Sequence, residues 1–193
     1  AERVSDVGYT HTRYRVWTLS TLSHNTVMVD GREQAAGSMR RPNDGALQLY
    51  VPNEDALQIP EASAPRAHPG ITSEYRRMLI LVEIEPGRTY VLDVFRIVGG
   101  SRHEYILAGD ANHDGAVDVD LPMARSGETL LPAEVKFRLP TGESVPGDAE
   151  GHNLAYAFVR DVSSARATGP WTARFTSKAP TEGDLRIHRL AEP

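Results

Sequence analysis

Two long runs of β-favouring residues constrain this chain more than any other feature of its sequence. The first covers residues 75–84 and the second residues 89–98, and both are rich in valine, isoleucine, leucine and tyrosine. Glu85-Pro86-Gly87-Arg88 separates them, and a Pro-Gly pair between two such runs predicts a hairpin of antiparallel strands. Apolar residues occupy both faces in the middle of each run, which predicts that both strands lie centrally between two layers.

Shorter runs of the same kind fill the rest of the chain, and turn residues separate them. The 193 residues include 16 glycines and 13 prolines, and no long amphipathic pattern indicates a helix. We therefore predict an all-β, two-layer antiparallel β-sandwich that forms a single domain over residues 1–193. Further strands are predicted in the segment after His24 and at 13–19, 46–51, 103–107, 134–139, 154–160, 171–176 and 185–190. A loop is predicted at 35–45 and a long irregular stretch at 52–74.

Composition limits the functions that such a fold serves. The formal net charge is −5, and nucleic-acid binding needs a basic face, so nucleic acid is not predicted as a partner. The chain has no cysteine, which leaves no disulfide, thiolate nucleophile or cysteine zinc site. No run of apolar residues is long enough to span a membrane. The chain begins with Ala1 rather than methionine, which indicates a processed chain or a piece of a longer protein.

One stretch, Ser23 to Gln34, combines a short strand with a polar, titratable start. His24, Asn25 and Thr26 place an imidazole, an amide and a hydroxyl on successive residues. A turn follows at Asp30-Gly31. A histidine-asparagine pair at this place serves either as a turn or cap or as a functional site, and the residues alone leave both open.

Arginines on neighbouring strands form a second candidate feature. On alternate positions they would make a basic strip for an anionic glycan, while the alternative is an ordinarily charged, exposed sheet face. The arginines are Arg76, Arg77, Arg96 and Arg102. His103, after Gly99-Gly100, is either near a cleft or a structural histidine.

A third candidate is an acidic segment that resembles a calcium-binding loop in its spacing. Asp110, Asn112, Asp114 and Asp118 stand at loop positions 1, 3, 5 and 9, with glycine at position 6. Leu121 stands at position 12, where a bidentate acid is required. The segment is therefore either a weak Ca²⁺ site or an acidic turn, and Ca²⁺ is the one cofactor that the sequence suggests.

The stretch from His24 to Gly31, with Gln34 after it, resembles the hallmark of the heparinase II/III-like β-sandwich domain of polysaccharide lyases. The succession from Arg77 through residues 90–100 to His103-Glu104-Tyr105 is similar to the core strands of the same family. The resemblance implies a β domain that lines a substrate cleft beside an upstream α/α toroid. It implies eliminative cleavage of a uronic-acid polysaccharide, of the heparan sulfate or alginate type, by a secreted or periplasmic protein.

The resemblance also assigns roles to residues. It implies that His24 is catalytic and that Asn25 and Gln34 bind the substrate. The basic strip adds Arg77 and Arg96 as candidate substrate-binding residues, and the position after Gly99-Gly100 adds His103. The His-x-His-x-Asp stretch of the metal-containing relatives is missing, and the catalytic tyrosine of the family usually lies on the toroid. We therefore expect this chain alone to be inactive. The alternatives are a non-catalytic carbohydrate-binding module and a structural module that packs on a toroid.

Overall fold

The computed structural model describes residues 14–35, 45–54, 56–109, 113–135, 153–178 and 183–190. Within these ranges eleven strands and three short helical turns are found, and every strand pair is antiparallel. The predicted all-β antiparallel class is confirmed. The chain divides into two compact units, Val27–Tyr105 and the segments on either side of it. No helix in the described part of the chain has the length and apolar character needed to cross a membrane.

The unit Val27–Tyr105 contains a four-stranded sheet and a two-stranded ribbon. The strands are β1 (Val27–Val29), β2 (Ala46–Glu54), β3 (Leu57–Ser63), β4 (Thr72–Glu85), β5 (Arg88–Gly99) and β6 (His103–Tyr105). The sheet has the order β2-β3-β4-β5, and the ribbon pairs β1 with β6.

The predicted hairpin is present as β4 and β5, with Tyr75 opposite Ile97 and Val82 opposite Tyr90. Both strands extend beyond the predicted runs. The central position predicted for both is correct for β4, which lies between β3 and β5, but wrong for β5, the edge strand of the described sheet. Val91 on β5 is 53% exposed, as is usual for a side chain on an edge strand.

The core of this unit lies between the ribbon and one face of the sheet. Val27 and Val29 of β1 are buried against Tyr75 of β4 and Ala67. Partly buried residues of β5 and of the segment between β3 and β4 complete the cluster, namely Ala64, Ile71, Phe95 and Ile97. The ribbon and the sheet thus form two packed layers, as in a sandwich.

The Gly99-Gly100 pair allows the chain to pass from β5 to β6 beneath β1. Gly100 has a φ of +75°, and a Cβ there would lie 2.3 Å from Cγ1 of Val29. Gly99 has a φ of +109°, and its Cβ would lie 2.2 Å from the Ile71 carbonyl oxygen. Any side chain at either position would force β1 or the backbone before β4 to move.

The second unit consists of two smaller sheets and three helical turns. The strands are β7 (Gly115–Val119), β8 (Ala124–Thr129), β9 (Arg160–Ser164), β10 (Trp171–Ser177) and β11 (Leu185–Arg189). One sheet has the order β11-β10-β7, and the other pairs β8 with β9. The turns are a π-helical turn at Tyr14–Thr18 and 3-10 turns at Thr21–Ser23 and Leu154–Phe158.

Two predicted strands of this unit are helical turns instead. Trp17, predicted in a strand at 13–19, lies in the π-helical turn, and its ring stacks on Phe158 with centroids 5.8 Å apart. Phe158, predicted in a strand at 154–160, lies in a 3-10 turn whose start is capped by Asn153. β propensity is a statement about fit to a pleated surface, and here packing between two aromatic turns outweighs it.

Other boundaries also differ from the sequence predictions. The stretch 52–74 was expected to be irregular, but it contains β3 and the start of β4. The strands β7 and β8 were not predicted, because their sequences are short and rich in glycine and charge. Most of the strand predicted at 134–139 lies outside the described residues.

Candidate functional site

The segment His24-Asn25-Thr26 leads directly into β1 and is held by backbone hydrogen bonds. The 3-10 turn before it ends at His24, whose backbone N–H donates to the Thr21 carbonyl at 3.2 Å. Asn25 is exposed, and its Oδ1 accepts a hydrogen bond from the Ala108 N–H at 2.7 Å. The Thr26 carbonyl accepts from the Ile106 N–H at 2.8 Å. Asn25 thus acts in part as the local cap that the sequence left open, while the half-buried His24 lies at the end of the turn.

Val27 presents its backbone polar groups to a side chain rather than to a strand. Thr26 and Ile106 form a hydrogen-bonded pair in the ladder with β6, so the next residue directs its N–H and carbonyl to the opposite edge of β1. There the Tyr75 hydroxyl donates to the Val27 carbonyl at 2.7 Å and accepts from the Val27 N–H at 3.3 Å. Tyr75 is only 6% exposed, so these bonds replace water at a buried strand edge.

Gln34 completes the hydrogen bonding of the same hydroxyl. Its Nε2 donates to the Tyr75 oxygen at 3.0 Å. A phenol has one donor and two acceptor sites, and all three are used here. Gln34, which the sequence predicts to bind substrate, therefore helps to position the Tyr75 hydroxyl in this structure. That hydroxyl in turn holds the Val27 backbone of β1.

Arg77, Asp93 and Tyr105 form a hydrogen-bonded group on the sheet face that carries the ribbon. Arg77 donates two hydrogen bonds to the Asp93 carboxylate, at 2.9 Å from Nε and 2.6 Å from Nη2. The Tyr105 hydroxyl donates to the same carboxylate at 2.6 Å. Burial and the Asp93 hydrogen bond raise the pKa of Tyr105 to about 12, so this phenol is protonated at neutral pH and is a donor rather than a base. The hydrogen bond to Asp93 also raises the pKa of Arg77.

Aromatic rings surround this group. The Arg77 guanidinium carbon lies 4.8 Å from the centroid of the Phe95 ring, which makes a cation–π contact. Phe95 contacts the rings of Tyr75 and Tyr105 edge-on, each at 5.9 Å. Arg77, predicted to bind an anionic glycan, has its charge balanced by Asp93 and its side chain packed on a ring.

The four arginines do not form one basic strip. Arg76 and Arg77 are consecutive in β4 and therefore point to opposite faces. Arg76 pairs with Glu61 at 2.6 Å, while Arg96 lies across the ladder from Arg76 and approaches Glu74 at 3.8 Å. The fourth, Arg102, pairs with Glu104 at 3.0 Å. The basic strip predicted from sequence is not formed, because the arginines are divided between two sheet faces and a loop and each one pairs with a carboxylate.

His103 and Asp30 fix the loop between β5 and β6. The Nε2 atom of the exposed His103 lies 2.8 Å from the Gly99 carbonyl oxygen. Asp30, with a φ of +52°, accepts hydrogen bonds at Oδ1 from the backbone N–H groups of Ser101 and Arg102, both at 2.8 Å. These two bonds are the main reason that the pKa of Asp30 is lowered. His103 thus has a structural contact, which is the alternative that the sequence left open.

The predicted calcium loop is only partly described. Asp110 and Asn112 lie outside the described residues. Asp114 is exposed and lies 3.8 Å from the Lys178 ammonium, and Asp118 lies in strand β7 opposite Arg174. In the described ranges no group of three or more acidic or histidine side chains is arranged to hold a metal ion. The Ca²⁺ site stays a prediction.

The predicted site residues fall into the two units. His24 and Asn25 belong to one, and Gln34, Arg77, Arg96 and His103 to the other. Tyr75 and Asp93 organise the second group through their hydrogen bonds, and neither was predicted as a site residue. Tyr75 and Arg77 are alternate residues of β4, so they share one sheet face with the β5 residues opposite them. The register of the predicted hairpin would have placed Asp93 on that same face.

Comparison with known proteins gives one distant relative. The chain is 26% identical over 180 residues to an alginate lyase of Stenotrophomonas maltophilia (strain K279a). The match covers 89% of this chain but 22% of the relative, so the chain spans less than a quarter of that protein's length. No family model and no solved structure matches the chain. The match indicates a relationship to a polysaccharide lyase.

Proposed function

We propose that this chain is the β-sandwich portion of a polysaccharide lyase that cleaves a uronic-acid polymer by β-elimination. The observation that carries the proposal is the match to an alginate lyase along 89% of the chain. The resemblance of residues 24–34 to the heparinase II/III-like domain supports the same assignment. Alginate is the substrate that the relative's name favours. An α/α-toroid partner and a secreted or periplasmic location belong to the same proposal.

The chemistry assigns His24 an electrostatic role. In β-elimination a base removes the C5 proton beside the uronate carboxylate, the electron pair forms a double bond, and the bond to the leaving sugar oxygen breaks. An acid protonates that oxygen. Negative charge develops on the carboxylate as the proton leaves, and an imidazole N–H donor or a nearby amide donor stabilises it. His24 would supply the first and Asn25 the second.

No base for C5 is assigned in this chain. Tyr75 has its hydroxyl fully used by Val27 and Gln34, and Tyr105 has a pKa of about 12. Both properties disfavour proton abstraction at neutral pH. We therefore expect the 193-residue chain alone to release no unsaturated product from alginate or heparan sulfate. Product formation by the purified chain would overturn this assignment of roles.

Binding by the chain itself tests the cleft assignment. Amide NMR spectra recorded during titration with uronate oligosaccharides should shift at residues 24–26. The Asn25→Ala variant should weaken that shift, whereas His188→Gln, a change at an exposed histidine on β11, should not. Shifts confined to other regions would place the ligand elsewhere and contradict the role given to His24.

A structural module is the second candidate function, and exposed apolar side chains favour it. On β5 the side chains of Tyr90, Leu92 and Val94 share one sheet face and are 39–46% exposed. Contiguous apolar surface of this kind is typical of a face that packs on another domain. If the oligosaccharide titration gives no shifts while Leu92→Lys raises the solubility of the chain, the structural reading is favoured over the catalytic one.

A further inference from the structure

His68 is the buried titratable side chain that the proposed chemistry does not use. It lies in the turn between β3 and β4, is 1% exposed, and contacts the Tyr75 ring with centroids 5.5 Å apart. Neither ring nitrogen makes a hydrogen bond of normal geometry with any described residue. Burial of an imidazole disfavours its charged form, because a charged ring there would lose its hydration.

Backbone hydrogen bonds on both sides of His68 hold the turn that buries its ring. The His68 carbonyl accepts hydrogen bonds from the N–H groups of Ile71 and Thr72, at 3.1 and 3.0 Å. The preceding Ala67 carbonyl accepts from the Ala35 N–H at 2.8 Å. A proton on His68 must therefore be accommodated inside the core or by opening of the structure above it.

The structure above it is β1. The ring that His68 contacts is that of Tyr75, which holds both backbone groups of Val27. Among the described residues, the charged groups that act on His68 are the Asp30 and Glu33 carboxylates, from the turn after β1, and the Tyr75 ring packs against it from β4. Burial lowers the pKa of His68, and the Val27 backbone and these two carboxylates offset the effect in part.

We propose that His68 makes β1 an acid-sensitive element, in which uptake of one proton by this ring releases the Tyr75 hold on Val27. The consequence is an opening of β1, the strand that follows His24-Asn25-Thr26, at mildly acidic pH. The inference does not depend on the proposed lyase activity, since every contact that carries it lies within Val27–Tyr105.

Hydrogen exchange of the Val27 and Met28 amides measures this opening directly. If one proton is taken up on opening, protection corrected for intrinsic exchange should fall about tenfold per pH unit below about 6.5, until the pKa of folded His68 is reached. Measurements down to about pH 5 stay above the lowered pKa of Asp30. The Ala173 amide of β10, in the other unit, serves as an internal reference and should show no such dependence.

Two variants separate His68 from other groups. His68→Phe keeps a ring against Tyr75 but cannot take up a proton, so the pH dependence at β1 should vanish. His188→Gln removes an exposed histidine and should leave the wild-type profile unchanged. If His68→Phe does not fold, the His68 ring resonances of the wild type decide the question. A midpoint at or above 6.5, or β1 protection that is constant between about pH 6.5 and 5, would overturn the proposal.

Discussion

Removal of the Tyr75 hydroxyl is the perturbation whose effect follows most directly from the contacts. Tyr75→Phe deletes three hydrogen bonds, two to the Val27 backbone and one from Gln34 Nε2. Val27 is 3% exposed and its polar groups point away from β6, so no neighbouring strand and little water can replace the hydroxyl. The aromatic ring and its packing on Phe95 are retained.

The magnitude follows from the cost of burying unpaired groups. A buried donor or acceptor that loses its partner costs about 1–3 kcal/mol, and the Val27 N–H and carbonyl both lose theirs. The N–H bond is long at 3.3 Å, so the lower end of that range applies to it. We expect Tyr75→Phe to lower the free energy of unfolding by about 2–4 kcal/mol.

Urea denaturation followed by near-ultraviolet circular dichroism measures this loss. Tyr90→Phe is the matched control, because Tyr90 is 46% exposed on edge strand β5 and should cost less than about 0.5 kcal/mol. A loss below about 1 kcal/mol for Tyr75→Phe, or an equal loss for the two variants, would refute the reasoning about the Val27 edge.

Three further predictions concern the loop and the ribbon. Gly100→Ala should destabilise the chain by about 1–3 kcal/mol in urea denaturation, because the new Cβ meets Val29 at 2.3 Å and the φ is +75°. Tyr105 has a folded pKa raised to about 12, so it contributes stability that is full below about pH 10 and is lost as pH rises towards 12; Tyr105→Phe should remove this alkaline loss. The pKa of Asp30 is lowered, so its contribution is present above its unfolded value of about 3.8 and is lost as pH falls through the folded value. Asp30→Asn should flatten that acid limb of the stability profile.

Control substitutions at sites without the proposed contact accompany these predictions. Gly169→Ala changes a glycine with no atom near its Cβ position, so it should be close to neutral. Tyr50→Phe removes a phenol that is 55% exposed and serves as the control for Tyr105→Phe. If a control variant changes stability as much as the test variant it is matched to, the specific contact is not the cause of the effect.

The sequence predicts a strand or turn correctly where the local residue pattern alone determines it. The β4–β5 hairpin was predicted because two long runs flank a Pro-Gly turn, and Gly99-Gly100 marked the end of β5 correctly. Trp17 and Phe158 were misassigned because their helical turns depend on a contact between residues 141 positions apart, which a local pattern does not contain.

The candidate site was harder to predict than the fold. Arg77 and Arg96 were found as arginines on strands, but their acidic partners depend on the register between strands. His68 looked unremarkable in the sequence, since its burial depends on how the turn before β4 folds under β1. Tyr75 was placed in the correct strand, yet its partner Val27 is 48 positions away.

The central claim, that this chain serves a polysaccharide lyase through His24, is tested most directly by an activity assay. The full-length protein, with the proposed α/α toroid in place, is incubated with alginate and with heparan sulfate. The unsaturated uronate product is followed by ultraviolet absorbance. We predict product from the wild type, a loss of about 10²–10³-fold for His24→Ala, and no change for His188→Gln. Absence of product from every uronate polymer, or equal rates for His24→Ala and the wild type, would contradict the claim.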